Sequence, residues 1–402
     1  MSLILAGTGC DSAGSMTVEV RDAIAKADVL IGAQRLLESV PSGHEADMRP
    51  AIYADEILNI IQETLAEGDK NICVLYSGDS GFYSGTRSLL PLLSEAGIEA
   101  QVLPGISSIQ LFAARLQQPW QDWKLVSAHG TDCDPVTNVM DGKPVFFLTG
   151  GKLDVTLLCR KLADAGLGDL TVTVGERLSY EDERIVSGTA AEFATQAFAP
   201  LSVMLVSPAP TLGDRTPGIN DDDFIRGSIP MTKQDVRASI LSHMRVQPDD
   251  VVWDVGAGTG SVSIELAMKA SRGRVYAVER NEEGVSLIQQ NREKFGVWNL
   301  VTIEGSAPEA LTNLPAPDRA FIGGSSGNLS DIIDAVLTKN EKALICITAI
   351  VLETLHEATQ HLTEMGMDVE ITQIAASKTR PVGGKHMMVA GNPIYIITGQ
   401  RP

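Results

Sequence analysis

Apolar runs alternate with helical stretches through the second half of the chain. From 232 to 246, apolar residues recur at helical spacing: Val236, Ile240, Leu241 and Met244. This predicts an amphipathic helix with Thr232 as its N-cap. The strand-like runs that follow are 251–255, 274–279, 300–304, 319–323, 343–350, 368–376 and 393–398. They predict a doubly wound, mostly parallel sheet of seven strands, whose last two runs pair antiparallel around a long glycine-rich loop.

The first half alternates in the same way. Its strand-like runs are 3–6, 72–76, 100–103, 125–127, 145–148, 170–174 and 202–206, and its helical stretches are 17–27, 55–67, 85–94 and 152–165. This half is therefore also predicted to be α/β. Between 200 and 227, prolines, glycines and three successive aspartates interrupt the pattern. We therefore predict one domain at 1–206, a linker at 207–219 and a second domain at 220–402.

Composition narrows the class of protein. The 402 residues, of which 44% are hydrophobic, are enough for two cores, and no run of eighteen apolar residues predicts a membrane span. A net charge of −19 makes nucleic acid a poor partner. The N-terminus carries no basic leader, which favours a cytoplasmic location. Five separated cysteines and six histidines form no metal-ligand spacing, so we expect buried free thiols and no metal.

The stretch VVWDVGAGTGSVSIELA, at 251–267, carries the most specific chemistry. Its three glycines allow a tight turn and close backbone approach at the end of a parallel strand, where open α/β sheets bind ligands. A dinucleotide fingerprint would have its third glycine at position 261, which is Ser261 here. The spacing favours an S-adenosylmethionine donor instead. The predicted donor-binding residues are Gly256, Ala257, Gly258, Thr259 and Gly260.

Other positions around this turn complete an adenosine site. The next strand ends in Glu279, placed to accept hydrogen bonds from the ribose hydroxyls. After the third strand, Ser306 and Ala307 are expected against the adenine edge, and Thr232 is expected to touch the donor. An acid at the position of Glu279 is shared with nicotinamide enzymes, so it indicates adenosine rather than a methyl donor.

Four stretches of the second half, GSIPMTKQDVRA, VVWDVGAGTGSVSIELA, VYAVERNEEG and FIGGSSGNL, resemble the methyltransferase domain of the decarboxylating precorrin-6Y C5,15-methyltransferase family of the corrin pathway to cobalamin. The first half resembles the tetrapyrrole methylase domain of that family, in LAGTGCDSAGSMT, YSGDSGFYSGT, VLPGISSIQLFAARL and LVSAHG. The resemblance covers essentially the whole chain. It implies a tetrapyrrole methylase domain of two α/β subdomains, followed by a Rossmann-like class I methyltransferase domain.

In tetrapyrrole methylases the donor lies in a cleft between the two subdomains. The resemblance implies that Gly78, Asp79, Ser80 and Phe82 bracket its methionine end. Ser107 and Ser108 are expected at a helix N-terminus, where free N–H groups favour a carboxylate. Many members open with a G-x-G-P-G turn, whereas this chain has Gly7 and Gly9 followed by Cys10, Asp11 and a displaced Gly14. Gly7 and Gly9 are further candidates for the substrate cleft, and His129 either contacts the substrate or simply ends a strand.

The resemblance implies methylation at carbons 5 and 15 of a corrin precursor, with loss of carbon dioxide from the ring C acetate. The first half is expected to methylate carbon 5, and the second carbon 15 with decarboxylation. Positioning of donor and acceptor can supply about 7–11 kcal/mol of the barrier reduction, so no catalytic triad is expected and no catalytic residue is assigned.

The substrate carries several carboxylates, so an acidic chain must gather cations locally. The loop SKTRPVGGKHMM supplies them in Lys378, Arg380, Lys385 and His386. Lys233 and Arg237 are weaker candidates for the same ligand. We also expect a homo-oligomer. An RNA methyltransferase, a nicotinamide oxidoreductase and a non-catalytic carrier remain alternatives at this stage, and whether the substrate contains cobalt is open.

Overall fold

The computed structural model of the protein describes residues 2–10, 15–40, 44–130, 132–210 and 217–401. The chain forms two compact units. The first holds most of the chain up to Ser207, and the second holds the chain from Pro208 together with the short segments 134–142 and 164–167. The predicted linker at 207–219 includes residues 211–216, which lie outside the described residues. The proposed domain limits at 206 and 220 therefore stay a prediction.

The first unit begins with a parallel five-stranded sheet. Its strands are β1 (Ser2–Gly7), β2 (Val29–Gly32), β3 (Asp47–Pro50), β4 (Asn71–Tyr76) and β5 (Gln101–Leu103), and its helices are α1 (Val18–Ala25), α2 (Gln34–Glu38), α3 (Ala54–Glu67) and α4 (Thr86–Glu95). The strand order is β3-β2-β4-β1-β5. All pairs are parallel, so the loops that follow β1, β4 and β5 meet at one edge of the sheet.

A second sheet completes the first unit after helix α5 (Ser108–Leu116). Its strands are β6 (Lys124–Ser127), β7 (Val145–Leu148), β8 (Thr171–Glu176), β9 (Arg184–Thr189) and β10 (Ser202–Val206), with helices α7 (Val155–Asp164) and α8 (Ala190–Phe193). Helix α6 (Pro135–Val139) lies in the segment 134–142, which belongs to the second unit. The order is β6-β7-β10-β8-β9, and β10 runs antiparallel to both neighbours. The two α/β subdomains are therefore confirmed. Strands β2, β3 and β9 were not predicted: β2 and β3 are short, and β3 and β9 bury no face.

The second unit is a seven-stranded sheet with helices on both faces, as predicted. Its strands are β11 (Val251–Val255), β12 (Arg274–Glu279), β13 (Leu300–Glu304), β14 (Arg319–Ile322), β15 (Leu344–Ala349), β16 (Asp368–Ile374) and β19 (Ile394–Gln400). Its helices are α9 (Gln234–Met244), α10 (Ser261–Lys269), α11 (Glu282–Phe295), α12 (Leu329–Lys339) and α13 (Leu352–Glu364). The order is β13-β12-β11-β14-β15-β19-β16. One apolar cluster covers each face of the sheet.

The expected antiparallel pairing of the last two runs is confirmed, since β16 pairs with β19. The intervening segment is not an irregular loop, however. It forms a two-stranded hairpin of β17 (Ser377–Val382) and β18 (Lys385–Ala390). Gly383 and Gly384 connect the strands with φ of 54° and 77°. Two successive positive φ values are what a tight hairpin turn requires, so the glycine pair closes a hairpin within the segment that was expected to be a long loop.

Two details of the sequence prediction need correction. The N-cap of α9 is Lys233 rather than Thr232, and the Lys233 side chain makes no capping hydrogen bond. Its first amide instead donates to the Asp221 carboxylate at 2.9 Å, so a tertiary contact replaces the expected local cap. No disulfide joins the cysteines among the described residues, but only Cys73, Cys159 and Cys346 are buried, whereas Cys10 and Cys133 are partly exposed.

Candidate functional site

The glycine turn of the second unit sits at the carboxyl end of β11. Gly256, Gly258 and Gly260 have φ of 73°, 57° and 77°, a region that side-chain-bearing residues adopt only under strain. A Cβ on Gly256 would lie 2.5 Å from the carbonyl oxygen of Gly324, and one on Gly260 would lie 2.9 Å from Ile288 Cγ1. Gly258 has ordinary space around it. Two of the glycines are therefore required by close packing, and all three by backbone conformation.

The turn forms one wall of a cavity of about 320 Å³. Five of the predicted donor-binding residues line this cavity: Gly256, Gly258, Glu279, Ser306 and Ala307. The other predicted residues do not line this cavity. Ala257, Thr259 and Gly260 belong to the turn but do not reach the cavity surface. Thr232 is also absent from the lining, where Ile229 and Pro230 stand instead. The loop after β14 contributes a wall that the sequence reasoning had not assigned, through Ser325, Ser326 and Asn328.

Glu279 is held by three backbone amides. Its carboxylate accepts from the N–H groups of Gly258, Arg280 and Asn281 at 2.8, 2.9 and 2.8 Å. An ionised carboxylate has about four acceptor positions, so about one remains for a ligand hydroxyl. Gly284 backs this side chain, because a Cβ there would lie 2.7 Å from Glu279 Cγ. Gly284 was not predicted from the sequence, although a glycine in the first turn of a helix indicates a position where a neighbouring group leaves no room for a side chain.

A buried amide ties the turn to the segment that precedes α9. Asn291, fully buried on α11, donates to the carbonyl oxygens of Ile225 and Thr259 at 3.0 and 3.1 Å and accepts from Ile225 N–H at 2.8 Å. Near the cavity, Glu283 accepts from the backbone N–H of Ser228 at 2.6 Å. Helix α11 thus positions both the glycine turn and the segment that carries Ile229 and Pro230.

Asp254 lies beneath the turn on β11 and is completely buried. Its Oδ2 accepts from the Ser263 hydroxyl, while its Oδ1 has no hydrogen-bond partner among the described residues. Burial away from water raises the pKa of this carboxyl to about 7, and the nearby Glu279 carboxylate adds to the increase. The donation from Ser263 acts in the opposite direction without cancelling it. At neutral pH a substantial fraction of this buried carboxyl therefore keeps its proton.

In the first unit, three loops pack backbone against backbone at the edge of the parallel sheet. A Cβ on Gly7 or Gly105 would lie within 2.8 Å of the Gly78 carbonyl oxygen. Gly9 and Gly78 exchange two backbone hydrogen bonds, of 3.0 and 2.7 Å. Gly7 and Gly9 do not line the neighbouring cavity, so they hold the loops together rather than touch a ligand. Asp11 and Gly14, which the resemblance put in question, lie outside the described residues.

These loops border a cavity of about 250 Å³ within the first unit. Six predicted residues line it: Gly78, Asp79, Phe82, Ser107, Ser108 and His129. Ser80 does not, because it is buried and its hydroxyl donates to the Leu103 carbonyl oxygen at 3.0 Å. Both oxygens of Asp79 accept backbone amides, from Gly81 at 2.9 Å and Gly105 at 3.0 Å. Asp79 therefore shapes the cavity wall as well as lining it.

The opposite wall of this cavity comes from the second sheet and was missed. It includes Thr149, Gly175, Arg177, Leu178, Tyr180 and Ser202. A Cβ on Gly175 would lie 2.8 Å from the Phe112 ring, so this glycine is required by packing. The two walls derive from segments far apart in the chain, so no local motif could have joined them. Ser107 N–H donates to the Gln110 side chain at 2.8 Å and the Ser107 side chain accepts the Gln110 N–H, so the amides of Ser108 and Ile109 remain as the donors of that helix end.

The predicted cationic residues of the hairpin do not all lie on the same face. Paired positions of an antiparallel hairpin share a face, so Lys378, Arg380 and Lys385 lie on one face and His386 on the other. Lys378 is paired with Asp235 at 3.1 Å. Lys233 is exposed at the start of α9.

Arg237 cannot bind substrate as predicted. It is completely buried, 2.6 Å from Glu265 and 3.3 Å from Asp221, and it lies over the Phe224 ring. Helical spacing alone placed Arg237 beside Lys233, but the packing of α9 against α10 buries Arg237 and pairs it with Glu265. Its role is to fix the segment that precedes α9.

Comparison with known proteins gives two family matches. Residues 2–194 match the family of tetrapyrrole (corrin/porphyrin) methylases, and residues 223–400 match a precorrin methyltransferase domain. A probable cobalt-precorrin-6B C(15)-methyltransferase (decarboxylating) of Pyrobaculum calidifontis is 45% identical over 46% of this chain and 95% of its own length. A precorrin-6Y C(5,15)-methyltransferase (decarboxylating) of Sinorhizobium is 29% identical over 95% of this chain and 92% of its own.

A solved structure covers one half of the chain. The crystal structure of precorrin-6Y C5,15-methyltransferase from Geobacter metallireducens is 43% identical, with a TM-score of 0.44, over 46% of this chain and 96% of that one.

Proposed function

Because the chain belongs to the family of decarboxylating precorrin-6Y C5,15-methyltransferases, we propose that it methylates a corrin precursor at carbons 5 and 15 and removes carbon dioxide from the ring C acetate. The methyl donor is S-adenosylmethionine at both sites. The first unit methylates carbon 5. The second unit methylates carbon 15 and carries out the decarboxylation.

One observation carries this proposal: in the described part of the chain, a glycine-walled cavity lies at the carboxyl edge of each parallel sheet, and the two are of similar size. Both are built from backbone that approaches too closely for side chains at Gly256 and at Gly105. A cleft of this kind suits a ligand held largely by main-chain groups. Two separate donor sites agree with a reaction that adds two methyl groups.

In the second unit the residues divide the work of holding the donor. Glu279 accepts a ribose hydroxyl at its remaining acceptor position, and a second hydroxyl requires release of one backbone amide. Ser306 and Ala307 contact the adenine edge, while Gly256 and Gly258 admit the donor close to the backbone. The donor supplies an electrophilic methyl group on a sulfonium. Because the acceptor is an electron-rich carbon, the main task of the protein is to align the donor methyl group with that carbon. Such alignment lowers the activation free energy by about 7–11 kcal/mol.

Decarboxylation follows from the same positioning. Methylation at carbon 15 leaves a cationic, iminium-like ring system. Cleavage of the bond between the acetate methylene and its carboxylate releases carbon dioxide, and the bonding electron pair enters that ring system. For this step the protein needs only to shield the acetate from water, since desolvation destabilises the carboxylate relative to neutral carbon dioxide.

The exposed cations of the hairpin bind carboxylate arms of the substrate. Arg380 and Lys385 share a face with Met387, which is 44% exposed, so an arm bound there brings the apolar ring edge onto that side chain. Lys378 joins them by exchanging its exposed partner Asp235, a pair worth at most about 1 kcal/mol. His386 lies on the other face and contributes less.

Self-association is also part of the proposal. The hairpin exposes large apolar side chains on both faces, with Met388 61% exposed opposite Met387. An isolated two-stranded hairpin is marginally stable in water, so contact with a second copy would stabilise it. Sedimentation of the chain and of Met388→Lys tests this: the variant is expected to shift toward monomer. A wild-type chain that sediments as a monomer would contradict the proposed self-association.

Mass spectrometry of the product tests the proposed reaction. The chain is incubated with donor and a precorrin-6B-type substrate, with and without cobalt. We expect two added methyl groups and one lost carbon dioxide. Gly258→Arg fills the second cavity and is expected to yield a singly methylated product that keeps its acetate. An unchanged substrate mass in both forms would refute the proposal.

The RNA methyltransferase alternative loses its support, because the relatives matched over the chain are precorrin methyltransferases. Among the described residues, the longest apolar helices fall short of what a membrane crossing requires. A cytoplasmic location stays a prediction from the sequence.

A further inference from the structure

The cavity of the first unit has an uneven distribution of charge. Among the described residues that line it, the charged side chains are Arg35, Arg177 and Asp79. The Asp79 carboxylate is already bound by two backbone amides. A chain with a net charge of −19 thus presents two guanidinium groups at this cavity. Cations gathered in an acidic protein indicate an anionic ligand.

Arg177 begins a tightly braced loop that follows β8. Its backbone N–H donates to the Leu201 carbonyl oxygen at 2.8 Å, and its own carbonyl oxygen accepts from Tyr180 N–H at 3.0 Å. Farther along, Glu183 accepts from Ser179 N–H at 2.7 Å and pairs with Arg115 at 2.6 Å. The loop is therefore held by contacts that leave the Arg177 side chain at the cavity.

The backbone of this loop is strained. Arg177 and Ser179 have φ of 46° and 75°, although neither is glycine. Such a conformation is unfavourable for a residue with a side chain and persists only where the surroundings impose it, which occurs most often at ligand-binding segments.

The existing partner of Arg177 is easily exchanged. Its guanidinium lies 2.7 Å from Asp182, but the two side chains are 41% and 64% exposed. Such a pair is screened by water and contributes little. The guanidinium also lies over the Tyr180 ring, 4.8 Å from its centre, which orients its planar fork. A planar, oriented guanidinium suits bidentate binding of a carboxylate.

We propose that Arg177 binds a carboxylate arm of the tetrapyrrole substrate at the first-unit cavity, with Arg35 as a second cation at the same site. The inference rests on the proposed function. A tetrapyrrole arm is favoured over the donor's own carboxylate because Arg177 comes from the second sheet and is partly open to solvent. The predicted donor-binding residues come from loops of the first sheet and from the start of α5.

Steady-state kinetics of carbon 5 methylation by the full chain test this inference. The variants are Arg177→Gln, Arg177→Lys and, as a matched control, Asp182→Asn. Loss of a charge-assisted hydrogen bond predicts a KM for the tetrapyrrole raised roughly 10- to 100-fold in Arg177→Gln. The KM for the donor and the carbon dioxide release by the second unit should stay unchanged. Arg177→Lys should recover part of the loss.

The control separates binding from loop support. Asp182→Asn breaks the same ion pair but frees the guanidinium, so its KM for the tetrapyrrole should stay equal or fall. Equal losses in Asp182→Asn and Arg177→Gln would overturn the inference in favour of a structural pair. A rise in the KM for the donor alone would assign Arg177 to the donor's carboxylate instead.

A substrate with esterified arms provides a second readout. Wild type and Arg177→Gln should then bind the ester equally, and a remaining difference would contradict the inference. If the wild-type chain adds no methyl group at carbon 5, the proposed function itself fails, whereas normal methylation with an unchanged KM in Arg177→Gln refutes only this inference.

Discussion

Replacement of Asp254 by asparagine should flatten the pH dependence of stability of the second unit. Asp254 is completely buried, and burial raises its pKa from 3.8 to about 7. A carboxyl whose folded-state pKa is raised holds its proton when folded and loses it when unfolded. Stability therefore falls as pH rises between about 4 and 7, and it is constant above that range.

The magnitude follows from the shift. About three pKa units correspond to about 4 kcal/mol between the acid and alkaline limits. Most of this change occurs below pH 6, where other carboxyls titrate as well. Between about pH 6 and pH 8, the linkage relation leaves about 1.4 kcal/mol, since the unfolded carboxyl is ionised throughout and the folded carboxyl loses its proton with a midpoint at about pH 7.

Calorimetric unfolding of the full chain at several pH values measures this difference. The wild type should lose about 1.4 kcal/mol more than Asp254→Asn between about pH 6 and pH 8. Asp249→Asn is the matched control, because Asp249 is exposed and its pKa is lowered by the hydrogen bond from Arg272. Its profile should parallel the wild type in this range. Parallel profiles for the wild type and Asp254→Asn would refute the raised pKa of the buried Asp254 carboxyl.

Four further substitutions test the donor site of the second unit and the residues that support it. Gly256→Ala adds a Cβ against backbone and should abolish carbon dioxide release, whereas Gly258→Ala bears only the strain of positive φ, about 1–2 kcal/mol, and should keep measurable activity; equal activities would contradict the packing argument. Gly284→Ala should displace Glu279 and raise the KM for the donor in carbon 15 methylation at unchanged carbon 5 methylation, and an unchanged KM would show that Glu279 tolerates the methyl group. Asn291→Asp leaves two buried carbonyl groups without donors, at about 1–3 kcal/mol each, so thermal unfolding should occur at lower temperature; an unchanged transition would mean that other groups replace the amide.

The donor turn was accessible to sequence reasoning because its signals are local. The glycine spacing, Ser261 where a dinucleotide fingerprint has its third glycine, and a carboxylate at the end of the next strand lie within about thirty residues of one another. The hairpin was missed for the opposite reason. Gly383 and Gly384 break a helix or an extended run, but with positive φ they also close two strands, and composition alone does not separate these outcomes.

The cations show where local pattern stops being informative. Lys233 and Arg237 are one helical turn apart, yet Arg237 is buried against Glu265 and Lys233 is exposed. Nothing in their immediate sequence distinguishes them. The partner, Glu265, lies on another helix, so only the packing of α9 on α10 determines which cation is available to a ligand.

The amino-acid sequence was sufficient for the two α/β units, the seven-stranded sheet and the glycine turn, since each depends on periodicity and backbone conformation over short stretches. The cavity of the first unit required the folded chain. Its walls bring Gly78 and Ser107 opposite Arg177 and Ser202, which are separated by about a hundred residues. Contacts of that range are set by how the sheets pack, because burial and the choice of partner depend on the whole chain and not on its neighbours in sequence.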